Sequence, residues 1–172
     1  MRTNIYVDGF NLYYGLKYYE RQGRLYKWLD INALCTAELP GSTIHRIRYC
    51  TARVQPRDDP RQPQRQQAYF RALETIPGLK IFLGHFLEDD KWMPLFDSKK
   101  IPPEKAHVIH TEEKGSDVNL ASLMLCDAFD GDFDLAVLIS NDSDLKMPIE
   151  IVRRKFKLQV GILNPGQRQS SA

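Results

Sequence analysis

With 172 residues, 42% of them apolar, and a net charge of +2, the chain has the size and balance of one ordinary domain that can bury a core without staples. The sequence pI of about 8.4 lies below the usual footprint of a nucleic-acid domain, so overall charge announces no such partner. Cys35, Cys50 and Cys126 are odd in number and scattered through apolar runs, which excludes a disulfide frame or zinc knot and points to reduced core thiols in a cytoplasmic protein. Neither a signal peptide nor a membrane span is expected, and a homo-oligomer stays open.

Apolar runs bounded by turn residues alternate with segments of helical period, the pattern of strands and helices around a mostly parallel sheet. The first strand is expected at Asn4 to Asp8, then a helix at Asn11 to Tyr19. A second helix covers Asp30 to Glu38, capped by Asp30 and stopped by Pro40-Gly41. A strand follows at His45 to Val54, an arginine- and proline-rich loop at Gln55 to Pro63, and a helix at Gln64 to Thr75. The third strand is Lys80 to Glu88. Asp89 to Glu104 reads as an inserted loop or hairpin, and His107 to Thr111 as a short strand or extended return. A helix spans Ser116 to Phe129. The run Leu135 to Ser140 is nearly all apolar, as expected for the centre of a sheet covered on both faces. A helix at Asp144 to Phe156 tolerates Pro148 near its first turn, and Leu158 to Leu163 is the fifth strand. The polar tail, 165–172, is expected to lie outside a domain spanning 1–164.

Two stretches far apart in the chain, Val7-Asp8-Gly9-Phe10-Asn11-Leu12 and Ser140-Asn141-Asp142-Ser143-Asp144-Leu145, place acids directly after apolar strands. In an open parallel sheet the chain leaves those strands at one edge, so the acids can converge. Lys114-Gly115-Ser116-Asp117-Val118 supplies another acid at the start of a helix. Asp117 shares the apolar stripe of Leu120, Ala121, Met124, Leu125 and Ala128, so it is expected to point inward or along the sheet edge. Taken singly, Asp8 reads as a turn former, and Asp142 or Asp144 as a helix cap. Together, Asp8, Asp117, Asp142 and Asp144 would repel one another without a cation, and hard oxygen donors suit Mg²⁺ or Mn²⁺. A divalent-metal centre for phosphodiester hydrolysis follows, with the ion lowering the pKa of a bound water. Asn11 either caps its helix or binds a carboxylate or phosphate oxygen. Ser140 and Asn141 either orient Asp142 or simply suit the turn. Asp127, Asp130, Asp132 and Asp134 sit at a helix end and in a turn and are expected in solvent; of Glu112 and Glu113, either one reaches the cluster from the approach to Asp117 or, as the default, the two form a solvated pair. A phosphotransferase with Asp8 as nucleophile would want a second acid two residues on, where Phe10 stands.

These three motifs, in their order and strand contexts, resemble the NYN family of PIN-like ribonucleases over roughly Thr3 to Leu163. The resemblance implies a three-layer α/β/α sandwich, PIN-like and Rossmann-like, around a mostly parallel sheet, here of five strands. It also implies a metal-dependent endoribonuclease in which Asp8, Asp117, Asp142 and Asp144 bind Mg²⁺ or Mn²⁺ and cut RNA, with Asn11 and Ser140 in support. Many relatives carry a further acid at the place of Leu123, so a second metal position is not furnished here. An RNA-binding or regulatory module that keeps the fold without cutting is the alternative. For holding RNA, Arg53, Arg57, Arg61 and Arg65 cluster with few acids, and arginine makes bidentate contacts to phosphate. Lys114 either offsets charge on a phosphate oxygen or is solvated. Tyr13, Tyr14, Trp92 and Phe96 are candidate stacking platforms or ordinary packing.

Overall fold

The computed structural model describes residues 1–24, 26–56 and 59–166. Its elements run β1 (Arg2–Asp8), α1 (Gly9–Glu20), α2 (Ile31–Glu38), β2 (Thr43–Ala52), α3 (Gln62–Leu73), β3 (Leu79–Pro94), β4 (Lys105–Lys114), α4 (Ser116–Phe129), β5 (Leu135–Ile139), a 3₁₀ turn (Ser143–Leu145), α5 (Lys146–Arg154) and β6 (Gln159–Leu163). They form an α/β fold around one six-stranded sheet of order β4-β3-β2-β1-β5-β6. All neighbouring pairs are parallel except β3 and β4.

Side chains alternate across a strand, so each buried strand feeds two cores. Ile5, Val7, Ile47, Tyr49, Val137 and Ile139 meet α1, α2 and α3 on one face. Tyr6, Cys50, Ala136 and Leu138 meet Leu120, Met124 and Ala128 of α4 and Val152 of α5 on the other. Fully burying an aliphatic side chain contributes about 1.5–3 kcal/mol, so these two layers carry the stability of the sheet. The structure adds a strand to the five expected. β3 runs on past the parallel sheet, and residues His85 to Pro94 pair with the whole of β4 in an antiparallel arm. The hairpin and short-strand alternatives for Asp89 to Glu104 and His107 to Thr111 lie on this arm, and periodicity left them level with a loop and an extended return because both strands of the arm are largely solvent-exposed and carry no apolar run.

Centrality also differs. β1, flanked by β2 and β5, lies at the middle of the order, whereas β5 is one strand from the edge. An apolar run records that both faces are covered; it carries no information on lateral position.

Polar burial is the larger surprise. Asp127, expected in solvent, is 5% exposed. It accepts two hydrogen bonds from the Arg48 guanidinium, at 2.8 and 3.1 Å, and one from the Tyr6 hydroxyl at 2.8 Å. Burial opposes the Arg48 charge, but the hydrogen bonds and charge of Asp127 outweigh it and hold the guanidinium pKa above its usual value. Burial pushes the Tyr6 phenol far up. Asp132, also expected in solvent, is largely covered, accepts from Asn4 at 2.8 Å and pairs with Arg46. This network ties α4 and the turn after it to β1 and β2. Cys35 and Cys50 are buried free thiols, whereas Cys126 is exposed rather than in the core. Among the described residues no helix is long and apolar enough to cross a membrane. Most of the expected tail, residues 167–172, lies outside the described residues.

Candidate metal centre

Strand order creates the site. From β1 the chain moves to β2, β3 and β4 on one side, then crosses by α4 to β5 on the other. The carboxyl ends of β1 and β5 therefore flank the point where the order reverses, the usual crevice of an open parallel sheet. Asp8 ends β1. Asp142 follows β5 and caps the 3₁₀ turn by accepting the Asp144 N–H at 3.0 Å. Antiparallel β4 returns to the same edge, where Lys114 pairs with His85, so α4 begins there and brings Asp117 in its first turn.

One carboxylate oxygen from each of Asp8, Asp117 and Asp142 lies within 4.8 Å of the others. Octahedral ligands at ~2.1 Å stand ~3.0 Å apart when adjacent and ~4.2 Å when opposite, so small closure or a bridging water completes a divalent site. The donors are all hard oxygens, as Mg²⁺ and Mn²⁺ prefer. Asp144, expected in the set, is exposed and not part of that trio, although its charge acts on Asp117.

Burial, followed by opposing hydrogen bonds from the Asn11 N–H and Ser140, leaves the Asp8 pKa above the usual carboxylate value. Asp117 is raised to about 6, first by burial and then by the charges of Asp8, Asp142, Glu113 and Asp144. It is nonetheless exposed at the cleft rim, along the sheet edge rather than inward, the second of the two places its stripe allowed. The buried residue of that turn is Ser116, beside it. Helical periodicity places a residue to within one neighbour, and at a helix start the first turn projects beyond the core.

The supporting polar groups are organised around Asp8. Ser140 Oγ donates to Asp8 Oδ2 at 3.0 Å and accepts the Asp142 N–H at 3.0 Å, so one hydroxyl links the two strand ends. Asp8 Oδ1 accepts the Asn11 N–H at 2.9 Å and caps α1, which answers the cap question: Asp8 caps, and Asn11 does not. The Asn11 side chain instead accepts the Asn141 N–H at 3.2 Å and ties α1 to the loop after β5. Gly9 permits the close passage of α1 over β2. A Cβ there would stand 2.8 Å from Thr51 Cβ and 2.8 Å from Tyr49 Cε1.

These acids floor an open cleft of about 550 Å³, lined also by Phe10, Tyr14, Tyr18 and Glu113. Glu113 is the one of the two glutamates that reaches the cluster, against the solvated default. It accepts from the Ser116 N–H at 3.1 Å and from Ser116 Oγ at 2.7 Å, so it caps α4 from outside. The signal was present as a glutamate three residues before a serine at a helix start, a capping relation in reversed order. Glu112 pairs with Lys114 at 2.6 Å instead.

The expected RNA contacts are dispersed. Arg53 bonds Gln67 at 2.8 Å, Arg61 is exposed at the start of α3, and Arg65 pairs with Asp59. Arg53, Arg61 and Lys114 line neither this cleft nor the cavity beside it, whereas Arg65 borders that neighbouring cavity. Arg57 lies outside the described residues.

The sequence model of the NYN domain matches residues 2–172, the whole chain but its first residue. The chain belongs to the NYN domain family. NYN domains are a PIN-like nuclease family, and the acid trio of this NYN domain can hold a divalent metal. The domain is similar to the 6-hydroxy-3-succinoylpyridine 3-monooxygenase HspA of Pseudomonas putida, 28% identical over 203 aligned positions. That alignment covers 99% of this chain and 62% of HspA, so the NYN domain spans less than two thirds of that relative's length. Among solved structures, a protein of unknown function from Vibrio parahaemolyticus shares the fold, with a TM-score of 0.58 at 18% identity. The superposition covers 95% of this chain and 80% of that one.

Proposed function

We propose that this NYN domain is a PIN-like, divalent-metal-dependent endoribonuclease that hydrolyses phosphodiester bonds in single-stranded or looped RNA. The observation that carries the reading is the meeting of Asp8, Asp117 and Asp142 oxygens at the reversal point of the sheet. Three acids held that close store repulsion unless a cation offsets it. A bound Mg²⁺ or Mn²⁺ would supply a water of lowered pKa and offset charge on the phosphate. The protein's own part is positioning. Asp8, Asp117 and Asp142 would hold the ion, with Asp144 near enough to add charge. Ser140 keeps Asp8 and Asp142 in register, and Asn11 fixes the loop that carries Asn141. Arg53, Arg57, Arg61, Arg65 and Lys114 are proposed to hold the RNA backbone outside the acid trio, because an acidic floor repels phosphate wherever no metal intervenes.

The test is cleavage of single-stranded RNA with Mn²⁺ or Mg²⁺ by the wild type, Asp8→Asn and Asp142→Asn. Cutting by the wild type, its loss in EDTA and its loss in both variants are expected. Binding without cutting by clean wild type would leave an RNA-binding module, and cutting by the variants would remove the acids from the chemistry.

A second reading rests on HspA, named for the oxygenation of a pyridine, whose likeness covers nearly this whole chain. Turnover of 6-hydroxy-3-succinoylpyridine with O₂ and an added two-electron reductant, in place of RNA cleavage, would establish it.

A further inference from the structure

Beside the acidic cleft lies a second cavity of about 500 Å³, between α1, α3, the segment before α2 and the β3–β4 arm. Phe10 and Tyr14 line both spaces, so the two adjoin. Its volume falls within the ~300–1,000 Å³ of ordinary small-ligand pockets, which are mostly apolar with a few polar groups.

Its walls are aromatic, and their rings stand edge to face. Tyr13 and Tyr14 have centroids 5.4 Å apart at 69°, and Trp28 meets Tyr69 at 6.0 Å and 70°. An edge-to-face contact takes up one face of only one ring in each pair, so other faces remain for a flat ring to stack on. Tyr14 and Trp28 are 63% and 58% exposed, a large apolar area to leave in water at the mouth of a cavity. Among the described residues, two of the three surrounding cations are already paired with acids, and the third, Lys17, has only a ring beside it. Lys27 pairs with Glu20 at 2.6 Å, Arg65 pairs with Asp59, and Lys17 lies over the Tyr13 ring at 5.8 Å. A free aromatic acid would need an unengaged cation for its carboxylate. A nucleobase needs none, since its phosphate is held elsewhere, and the Gln62 amide on the wall matches the hydrogen-bonding edge of a base.

We infer that this cavity takes the unstacked base of a nucleotide whose neighbouring phosphate lies in the acidic cleft. The inference rests on the nuclease reading only for where that phosphate sits. A base within a duplex is stacked and paired and cannot enter, so the cavity selects single-stranded or looped RNA.

The experiment uses short single-stranded RNA carrying 2-aminopurine at one position, a duplex of the same strand, and an abasic version. Fluorescence is read in Mg²⁺ on RNA made non-hydrolysable at the phosphates beside the 2-aminopurine, because the acidic cleft admits a phosphate only with an ion bound, and Mn²⁺-dependent cleavage of ordinary RNA is read separately. Wild type should quench 2-aminopurine in the single strand and not in the duplex. Trp28→Ala and, as a second variant, Tyr13→Ala should lose the quenching and bind single-stranded RNA about 5- to 100-fold more weakly, the effect of one lost base stack. With abasic RNA, wild type and variants should bind alike. Variants that quench and bind like wild type, or a duplex bound as well as a single strand, overturn the inference. So does a Trp28 fluorescence response to nicotinate with none to RNA. Quenching that depends on Trp28 in a protein that never cuts RNA upholds the base site and removes the nuclease reading. Cutting that ignores Trp28 and Tyr13 does the reverse.

Discussion

Asp117→Asn removes one charge from the acidic trio while keeping the side chain's shape, and it should make the metal-free protein more stable. The Asp117 pKa is raised from 3.8 to about 6 by burial and by the charges of Asp8 and Asp142. A two-unit shift corresponds to about 3 kcal/mol between protonation states. Because the side chain is exposed, solvent screening reduces this to about 1 kcal/mol. The folded pKa lies above the unfolded one, so the folded state keeps a proton that the unfolded chain releases. This group's favourable contribution is therefore complete below about pH 4 and is lost as pH rises through about 6. Asparagine does not titrate. In EDTA the variant and wild type should melt together near pH 4, and the variant should melt about 2–4 °C higher above pH 6 for a chain of this size. Mn²⁺ reverses the ranking, since an ion bound only by the folded state raises the wild-type melting temperature by mass action and leaves the variant nearly unmoved. Thermal unfolding followed by circular dichroism across that range, with and without Mn²⁺, measures both effects. A variant less stable than wild type in EDTA, or a difference that ignores pH, would refute the electrostatic reasoning.

Other substitutions address the supports of the centre. Ser140→Ala removes the hydroxyl between Asp8 and the Asp142 backbone, and calorimetric Mn²⁺ affinity should fall about 10–100-fold, the usual effect of losing a group that orients a ligand. The same change raises the Asp8 pKa further, because that hydrogen bond lowers it, so Mn²⁺ binding should weaken at a higher pH than in wild type. Asp127→Ala leaves Arg48 buried without its partner and should cost about 3–5 kcal/mol in urea unfolding. An unchanged midpoint would mean that the pair contributes nothing. Gly9→Ala forces a methyl against Thr51 and Tyr49, at a cost of about 1–3 kcal/mol read from the melting temperature. A melting temperature equal to wild type would show that α1 can lift away from β2.

The alternation of strands and helices is legible in the order of residues, because burial of both sheet faces writes apolar runs and amphipathic stripes directly into the chain. The sequence also marked Asp8, Asp117 and Asp142, since an acid immediately after a buried strand or in the first turn of a helix stands out against its neighbours. Tertiary structure decided what local pattern does not encode. The order of strands put Asp8 and Asp142 on either side of the reversal point and left β5 off centre. The return of β4 to the same edge brought Asp117 to them and chose between the interior and the sheet edge, putting it at the rim. Asp127 looked like a helix-end acid until Arg48, 79 residues away, supplied a buried partner. Glu113 and the aromatic cavity depend in the same way on elements distant in sequence. Periodicity reports which face of an element is covered; only the packed chain specifies by what, and charge and cavity chemistry reside in that pairing.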